Sequence, residues 1–198
     1  MKFILYILSP TLFVASRAKK KWDSTLVIKT LNTTYLLISI LLVAFFWSFA
    51  NTPFDYSKQS IIPSIILSLY LWSRSLEILT AFVVDAIDKT KPIKDSISNL
   101  TPKDRIKLSL KSYIELILIF GIGYWLMPCS WWDSAPSTVI ESLYFSGVTI
   151  TTLGYGDISP GHPIPQLLTV FEVLCGFSLL VVSFAIYTGL EYDETQKP

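Results

Sequence analysis

Four long apolar stretches constrain the fold of this chain more than any other feature of its sequence. They cover roughly residues 31–50, 61–83, 109–127 and 164–188. An α-helix needs about 20 mostly apolar residues to cross a bilayer, so each stretch has the length of one membrane-spanning helix. With 52% hydrophobic and 16% charged residues, the chain is also more apolar than an ordinary soluble domain. The sequence therefore predicts an all-α membrane protein with four transmembrane helices.

The positive charges predict how these helices are oriented. Of the 16 Lys and Arg residues, six precede the first stretch and seven, from Lys89 to Lys111, lie between the second and third stretches or at the start of the third. Loops rich in Lys and Arg stay on the cytoplasmic side of a membrane. We therefore expect a multi-pass protein of the plasma membrane with both termini in the cytoplasm. The net charge of +1 gives no sign of a nucleic-acid partner.

Charge and proline content divide the chain into five segments. Residues 1–30 are predicted to be a cytoplasmic or interfacial N-terminal segment, because a short apolar run precedes a basic cluster. The cluster, Lys19, Lys20 and Lys21, either sets the topology or binds anionic lipid. The other segments are a transmembrane hairpin (31–88), a cytoplasmic linker (89–107), a second membrane module (108–190) and a short cytoplasmic tail (191–198).

The segment between the third and fourth stretches contains APSTVIESLYFSGVTI, which is apolar but too short to cross a membrane. Pro136 suits the first turn of a helix, with Ser134 as its N-cap and Glu141 close to its positive end. A helix of about a dozen residues rises about 18 Å, half of a crossing, so the chain has to turn back. Irregular backbone at membrane depth persists only where protein buries it or where it lines a water-filled cavity. The sequence therefore predicts a re-entrant loop.

The loop continues into TLGYGD, residues 152–157. Successive carbonyl oxygens replace the hydration shell of a cation when they point toward one axis shared by several subunits. That arrangement needs backbone angles open chiefly to glycine at alternate positions, and Gly154 and Gly156 meet this need. Thr152 adds a ring of hydroxyl oxygens at the inner end, and Asp157 adds negative charge at the outer end.

This segment resembles the selectivity filter of the potassium-channel family, T-V-G-Y-G-D. The resemblance covers roughly residues 108–190, as an outer helix, a pore helix, a filter and an inner helix. It implies a homotetramer that conducts potassium through ion sites at Thr152, Leu153, Gly154 and Tyr155, with Gly156 completing the filter and with no cofactor. Leu153 departs from the commoner valine. We expect Leu153 and Tyr155 to point away from the ions and brace the strand against the pore helix.

The resemblance also assigns roles around the filter. Tyr144 and Phe145 look like an aromatic cuff, with the Tyr144 hydroxyl as a candidate partner of Asp157, and Thr151 is grouped with these support residues. On the inner helix, Gly176 occupies the position of the family's flexing glycine. Three residues below it have cavity-facing spacing, and the last of them is our hypothesis for a hydrophobic gate that closes by dewetting: Phe177, Leu180 and Phe184.

Charged residues inside the spans predict internal contacts, because a buried charge is generally paired. Arg74 and Glu77 lie one helical turn apart. Together with Glu115 they are expected to form a network that docks the first hairpin on the pore, or alternatively a gating latch. Glu172, inside the last span, is expected to bond the pore-helix region. No span carries the repeated basic residues of a voltage sensor.

Several alternatives remain open at this level. A non-selective cation channel of the same architecture and a non-conducting accessory subunit both fit the spans. An enzyme fits poorly, because Gly154-Tyr155-Gly156 lacks the third glycine and the strand-to-helix setting of a dinucleotide loop. His162, near the outer mouth, is a proton sensor or a bystander. Cys129 either bridges subunits or remains a free thiol.

Overall fold

The computed structural model describes residues 9–48, 61–89 and 100–183. Predictions that concern Phe184 and the tail at 191–198 lie outside these residues. The described chain is almost entirely helical. Its α-helices are α1 (Pro10–Lys21), α2 (Ser24–Ser48), α3 (Ile61–Lys89), α4 (Pro102–Trp125), α5 (Val139–Ile150) and α6 (Pro163–Phe177). A 3₁₀ turn (Cys129–Trp131), two short strands, β1 (Trp132–Ser134) and β2 (Ser159–Pro160), and a π-helical segment (Ser178–Ser183) complete it.

Within the described residues, three helical segments are long and apolar enough to cross a membrane: Ser24–Ser48, Ile65–Asp85 and Pro163–Leu180. They correspond to the predicted first, second and fourth spans. The predicted third span falls in α4, which is not among these three segments. The membrane fold is therefore all-α, as the sequence predicts, with three candidate spans.

Two helices begin earlier than their apolar stretches. Helix α2 starts at Ser24, because Asp23 accepts hydrogen bonds at its first turn, from the N–H of Thr25 at 2.8 Å. Helix α4 starts at Pro102, inside the predicted linker. Thr101 and Asp104 form a reciprocal capping box there, and proline suits the first helical position. Capping chemistry, and not hydrophobicity, places these two helix starts.

The start of helix α1 contacts α3 at Ser73. The Ser9 hydroxyl donates to the carbonyl oxygen of Ser73 at 2.8 Å, and the Thr11 hydroxyl lies 2.9 Å from the Ser73 hydroxyl. Ser73 precedes Asp85, at the end of the apolar part of α3, by about 18 Å along the helix axis. The expectation of an interfacial N-terminal segment does not anticipate a contact at this level of α3.

Among the described residues, one hydrophobic core joins the hairpin to the second membrane module. It includes Leu71 and Ile78 of α3, Leu116 and Ile119 of α4, and Leu179 of the π-helical segment. Trp72 on α3 also packs against Phe171 on α6, with ring centroids 4.9 Å apart. The hairpin is therefore part of one helical bundle with the re-entrant loop.

Candidate functional site

Helix α5 is the predicted half-crossing helix and has 12 residues. Its N-cap is Thr138, whose hydroxyl accepts from the Glu141 N–H at 3.1 Å, and the Glu141 carboxylate accepts from the Ser137 N–H at 2.5 Å. The prediction of Ser134 as N-cap, with Pro136 in the first turn, is wrong. Thr138 supplies the capping hydroxyl closer to the apolar run, so the helix starts there.

Ser134 instead belongs to a small two-stranded sheet beside the TLGYGD segment. Strand β1 pairs with β2 in an antiparallel arrangement, with Trp132 opposite Pro160 and Ser134 opposite Ser159. The Ser134 hydroxyl donates to the carbonyl oxygen of Asp157 at 2.7 Å. This contact ties the outer end of the TLGYGD segment to the sheet, and the sequence pattern did not reveal it.

The backbone of the TLGYGD segment has positive φ at alternate positions. The angles are 61° at Thr152, 56° at Gly154 and 79° at Gly156. For the two glycines the requirement is conformational, because a Cβ at either position would meet no atom within 4 Å. The sequence did not predict the positive φ of Thr152, since a β-branched residue rarely adopts this conformation. Such a residue is strained and persists where surrounding contacts hold it.

Those contacts come from the end of α5. The Thr152 N–H donates to the carbonyl oxygen of Thr149 at 2.9 Å, and the Leu153 N–H donates to that of Val148 at 3.0 Å. The Thr151 hydroxyl donates to the Gly147 carbonyl oxygen at 2.6 Å. The carboxyl end of α5, the negative end of its dipole, therefore lies directly beside the inner end of the segment.

The segment itself is exposed in the single chain. Residues 151–157 all face solvent, with Leu153 61% and Tyr155 66% exposed. The one ring contact from this segment within the described chain joins Tyr155 to Tyr144, stacked at 6.4 Å between centroids. Side chains of Tyr144 and Asp157 also interact. An exposed apolar surface of this kind is typical of an interaction site.

Phe145 follows Tyr144 in α5 but lies on a different face of the helix. It is buried against α4 and the sheet, with its ring 4.9 Å from Tyr124 and 5.3 Å from Trp132. The structure thus brings Tyr144 to the TLGYGD segment and places Phe145 in the core. Phe145, which was predicted to belong to an aromatic cuff, makes no ring contact with the TLGYGD segment among the described residues.

Gly176 lies where helix α6 crosses the end of α5. A Cβ at this position would lie 2.5 Å from Ile150 Cγ1 and 3.1 Å from its carbonyl oxygen. Helix α6 continues through Gly176 to Phe177 and then changes to the π-helical segment, where Leu180 lies. Phe177 and Leu180 are exposed in the single chain. Close packing is thus one reason for the glycine, whereas sequence reasoning considered flexing alone.

The three predicted network residues come together in the core. Arg74 donates to both carboxylate oxygens of Glu115, from Nε at 2.6 Å and from Nη2 at 3.0 Å. Its Nη1 lies 3.0 Å from Glu77 Oε2, and the guanidinium sits 4.1 Å from the Tyr35 ring centroid. All three charged residues are buried. Helices α2, α3 and α4 therefore meet around one guanidinium.

Glu172 on α6 is also fully buried, and its carboxyl contacts both neighbouring helices. The Tyr124 hydroxyl of α4 donates to Glu172 Oε2 at 2.7 Å, and Ser146 Oγ of α5 is hydrogen-bonded to Oε1. The predicted bond to the pore-helix region is confirmed, and Tyr124 is a partner that sequence reasoning missed.

Two ionisable side chains away from these buried groups, Asp104 in the first turn of α4 and Lys19 in α1, have shifted pKa values. A hydrogen bond from Lys29, at 2.9 Å, holds the pKa of Asp104 below its ordinary value. Burial lowers the pKa of Lys19, and the nearby Glu77 carboxylate opposes that shift. Of the basic cluster, Lys19 therefore lies against the bundle, while Lys21 is exposed and lies over the Trp22 ring at 5.1 Å.

His162 and Cys129 both lie near the end of the small sheet at which Trp132 pairs with Pro160. The His162 ring stacks on Trp131 at 4.5 Å, and its Nδ1 accepts from the Ile164 N–H at 3.2 Å, so it caps helix α6. Cys129 is exposed and is a free thiol in this chain, whereas Cys175 is buried in the core. A capping role accounts for the histidine without any reaction chemistry.

Comparison with known proteins finds that part of this chain is similar to ion channels. The family described as "Ion channel" matches residues 112–190. "Two-pore potassium channel 2" of Arabidopsis thaliana is 32% identical over 104 residues, which cover 46% of this chain and 24% of that protein. "Two pore potassium channel c" of Oryza sativa subsp. japonica is 35% identical over 38% of this chain and 18% of that protein.

A bacterial relative, "Putative potassium channel protein YugO" of Bacillus subtilis (strain 168), is 31% identical over 41% of this chain and 24% of that protein. The chain thus spans about a quarter or less of the length of these relatives. No solved structure matches it.

The matched segment contains α5, the TLGYGD segment and α6, the parts whose geometry has just been described. The family is one of ion channels and not of enzymes, and its match agrees with the apolar helices in indicating a multi-pass membrane protein. Residues 112–190 are therefore similar to the ion-channel family, and the relatives just named carry potassium-channel names.

Proposed function

We propose that four copies of this chain form a potassium-selective channel, each contributing residues 152–156 to one filter. The observation that carries the proposal is the alternation of positive φ at Thr152, Gly154 and Gly156. Alternating backbone handedness turns successive carbonyl oxygens toward the same side. Four such strands around an axis offer stacked rings of oxygen ligands that replace the water around a dehydrated cation.

The surroundings of the filter suit a cation. The α5 dipole places its negative end at the inner mouth, and Asp157 adds a carboxylate at the outer mouth. Thr152 adds hydroxyl oxygens to the innermost ring. Leu153 and Tyr155, exposed in a single chain, would be covered by neighbouring copies in the tetramer. Potassium is the permeant ion in this proposal, and the printed names of the relatives support that choice.

In the membrane, the proposal makes α4 the outer helix of the pore and a fourth span. Its first turns carry the polar residues of a cytoplasmic end, and its remaining turns pack on α5. Both termini then lie in the cytoplasm, on the side of the basic segments, and the protein resides in the plasma membrane. The Arg74 network docks the hairpin on the pore, and the exposed Lys21 faces anionic headgroups at the inner leaflet.

The reversal potential of the purified protein in a planar bilayer, under opposed potassium and sodium gradients, tests this function. We expect a value close to the potassium equilibrium potential. Gly154→Ala should abolish the selective current, because alanine at positive φ is strained. Gly123→Ala is the matched control, since its Cβ would meet no atom within 4 Å and its φ is ordinary.

Other outcomes separate the alternatives. A clear current with a reversal potential near zero would indicate a non-selective cation channel. No current in the bilayer, together with no potassium flux into liposomes, would contradict conduction and favour an accessory subunit.

A further inference from the structure

The buried carboxyl of Glu172 sits where the outer, pore and inner helices of one chain meet. Glu172 has no solvent exposure. Its two oxygens are bonded to hydroxyl groups of Tyr124 on α4 and Ser146 on α5. Among the described residues, no Lys, Arg or His side chain forms an ion pair with it. An ionised carboxylate here would be a buried charge with only neutral partners, which is costly.

The single hydroxyl hydrogen of Ser146 decides whether the Glu172 carboxyl is ionised or neutral. Ser146 Oγ lies 3.0 Å from the carbonyl oxygen of Ile117 and is also hydrogen-bonded to Glu172 Oε1. A hydroxyl has one hydrogen, and a carbonyl and a carboxylate can only accept. If Glu172 were ionised, Ser146 could satisfy only one of these two acceptors.

The other hydroxyl groups at this site cannot supply the missing hydrogen. The hydrogen of Tyr124 serves Glu172 Oε2 at 2.7 Å. The Thr169 hydroxyl, 3.5 Å from the Tyr124 hydroxyl, donates to the Pro165 carbonyl oxygen at 2.8 Å. If Glu172 is a neutral carboxylic acid, there are enough hydrogens for these acceptors. Its own O–H donates to Ser146 Oγ, and the Ser146 hydrogen is then free for the Ile117 carbonyl oxygen.

We propose that Glu172 is a neutral carboxylic acid in the folded channel and positions the pore helix through the chain Tyr124, Glu172, Ser146 and the Ile117 carbonyl. This proposal rests on the proposed function for its effect on conduction. Glu172 does not touch the filter, so it is a positioning residue. Its reach to the filter is short, because Ser146 lies two residues from Val148, whose carbonyl oxygen accepts from the Leu153 N–H.

Infrared spectroscopy of the assembled protein in lipid tests the charge state without any measurement of current. We expect the wild-type spectrum to contain the C=O stretch of a carboxylic acid that is missing from Glu172→Gln. The matched control is Glu141→Gln, because Glu141 lies at the start of α5 and accepts from a backbone N–H there. This control should remove a carboxylate band instead. Loss of a carboxylate band in Glu172→Gln would overturn the proposal.

Potassium uptake into liposomes tests the positioning role. Glutamine keeps both a donor for Ser146 and an acceptor for Tyr124, so Glu172→Gln should retain uptake within about twofold of wild type. Glu172→Ala and Ser146→Ala leave buried groups without partners, and we expect each to lower selective uptake by about tenfold or more. If Glu172→Ala fails to assemble, the glutamine variant and Ser146→Ala still decide the matter.

A glutamine variant as impaired as the alanine variant would overturn the positioning role, because conservative rescue would have failed. Wild-type protein that takes up no potassium would contradict the proposed function alone. The infrared result would still decide the charge state of Glu172 in that case.

Discussion

At the scale of single residues, glycine is required in this chain for two reasons: its freedom to adopt positive φ and its lack of a side chain. Gly154 and Gly156 are required by their positive φ, whereas Gly176 is required by the atoms of Ile150 beside it. Both requirements are filled by glycine, yet they have different physical origins. Substitution experiments should therefore separate them by different measurements.

We predict that Gly176→Ala destabilises the protein by about 1–3 kcal/mol, because the added Cβ would overlap with Ile150 in a packed core. Thermal unfolding of the protein in detergent measures the change. Gly123→Ala is the control, and it should be neutral or stabilising by up to about 1 kcal/mol, since alanine favours a helix over glycine. Equal stability of the two variants, with altered channel opening in Gly176→Ala alone, would favour the flexing role over close packing.

At the scale of helices, the structure is held together by a few polar contacts between elements far apart in sequence. Asn32 on α2 donates to Ser112 on α4 at 2.7 Å, and Arg74 on α3 bonds Glu115 on α4. Isolated exposed pairs such as Lys29 with Asp104 add little stability, but a buried pair is costly to break. The contribution of a charged contact therefore depends on where the helices place it.

We predict that Arg74→Gln destabilises the protein by about 3–5 kcal/mol, because Glu115 and Glu77 would remain buried without their cation. Lys29→Gln, at the exposed pair, should cost less than about 1 kcal/mol. Replacing Arg74 and Glu115 together with leucine should be less damaging than Arg74→Gln, since no unpaired charge remains on that pair. Unfolding in detergent measures all three variants.

The same variants distinguish docking from a gating latch. Arg74→Gln with stability like that of Lys29→Gln would contradict a docking role. If its open probability or voltage dependence changed at unchanged stability, the network would act as a latch.

At the scale of the whole molecule, one core joins α3 to α4 and to the π-helical segment among the described residues, and the TLGYGD segment lies exposed. Helix α3 packs on the π-helical segment that follows Gly176. π-Helical turns are frequent at functional sites. The hairpin is therefore placed to influence the inner helix directly, within one chain.

The proposed orientation in the membrane predicts which thiols are accessible from outside a cell. Cys129 is exposed beside the outer sheet, and Cys175 is buried. We expect a membrane-impermeant thiol reagent to label wild-type protein in intact cells and not Cys129→Ser. In the Cys129→Ser background, Lys103→Cys at the start of α4 should be labelled only after the cells are permeabilised. Labelling of Cys129 that requires permeabilisation would reverse the orientation.

Local patterns in the sequence predicted much of the fold and of the candidate site. Runs of apolar residues predict the three candidate spans of the described structure, and the TLGYGD segment indicates the similarity to ion channels that the match over residues 112–190 shows. Helix starts were less predictable, because Thr138 and Ser134 are both good caps and only the folded chain assigns one to the helix and the other to a sheet. The backbone conformation of Thr152 was not predicted either, since its positive φ depends on contacts with α5.

The sequence by itself determined the spans and the glycine spacing of the filter, because both depend on residues close together in the chain. Only the tertiary structure decided which buried groups share hydrogens. Ser146 and Glu172 are 26 residues apart, and Tyr124 and Glu172 are 48 apart. No local pattern specifies that three helices bring these hydroxyl and carboxyl groups to one buried point, where every polar group needs a partner.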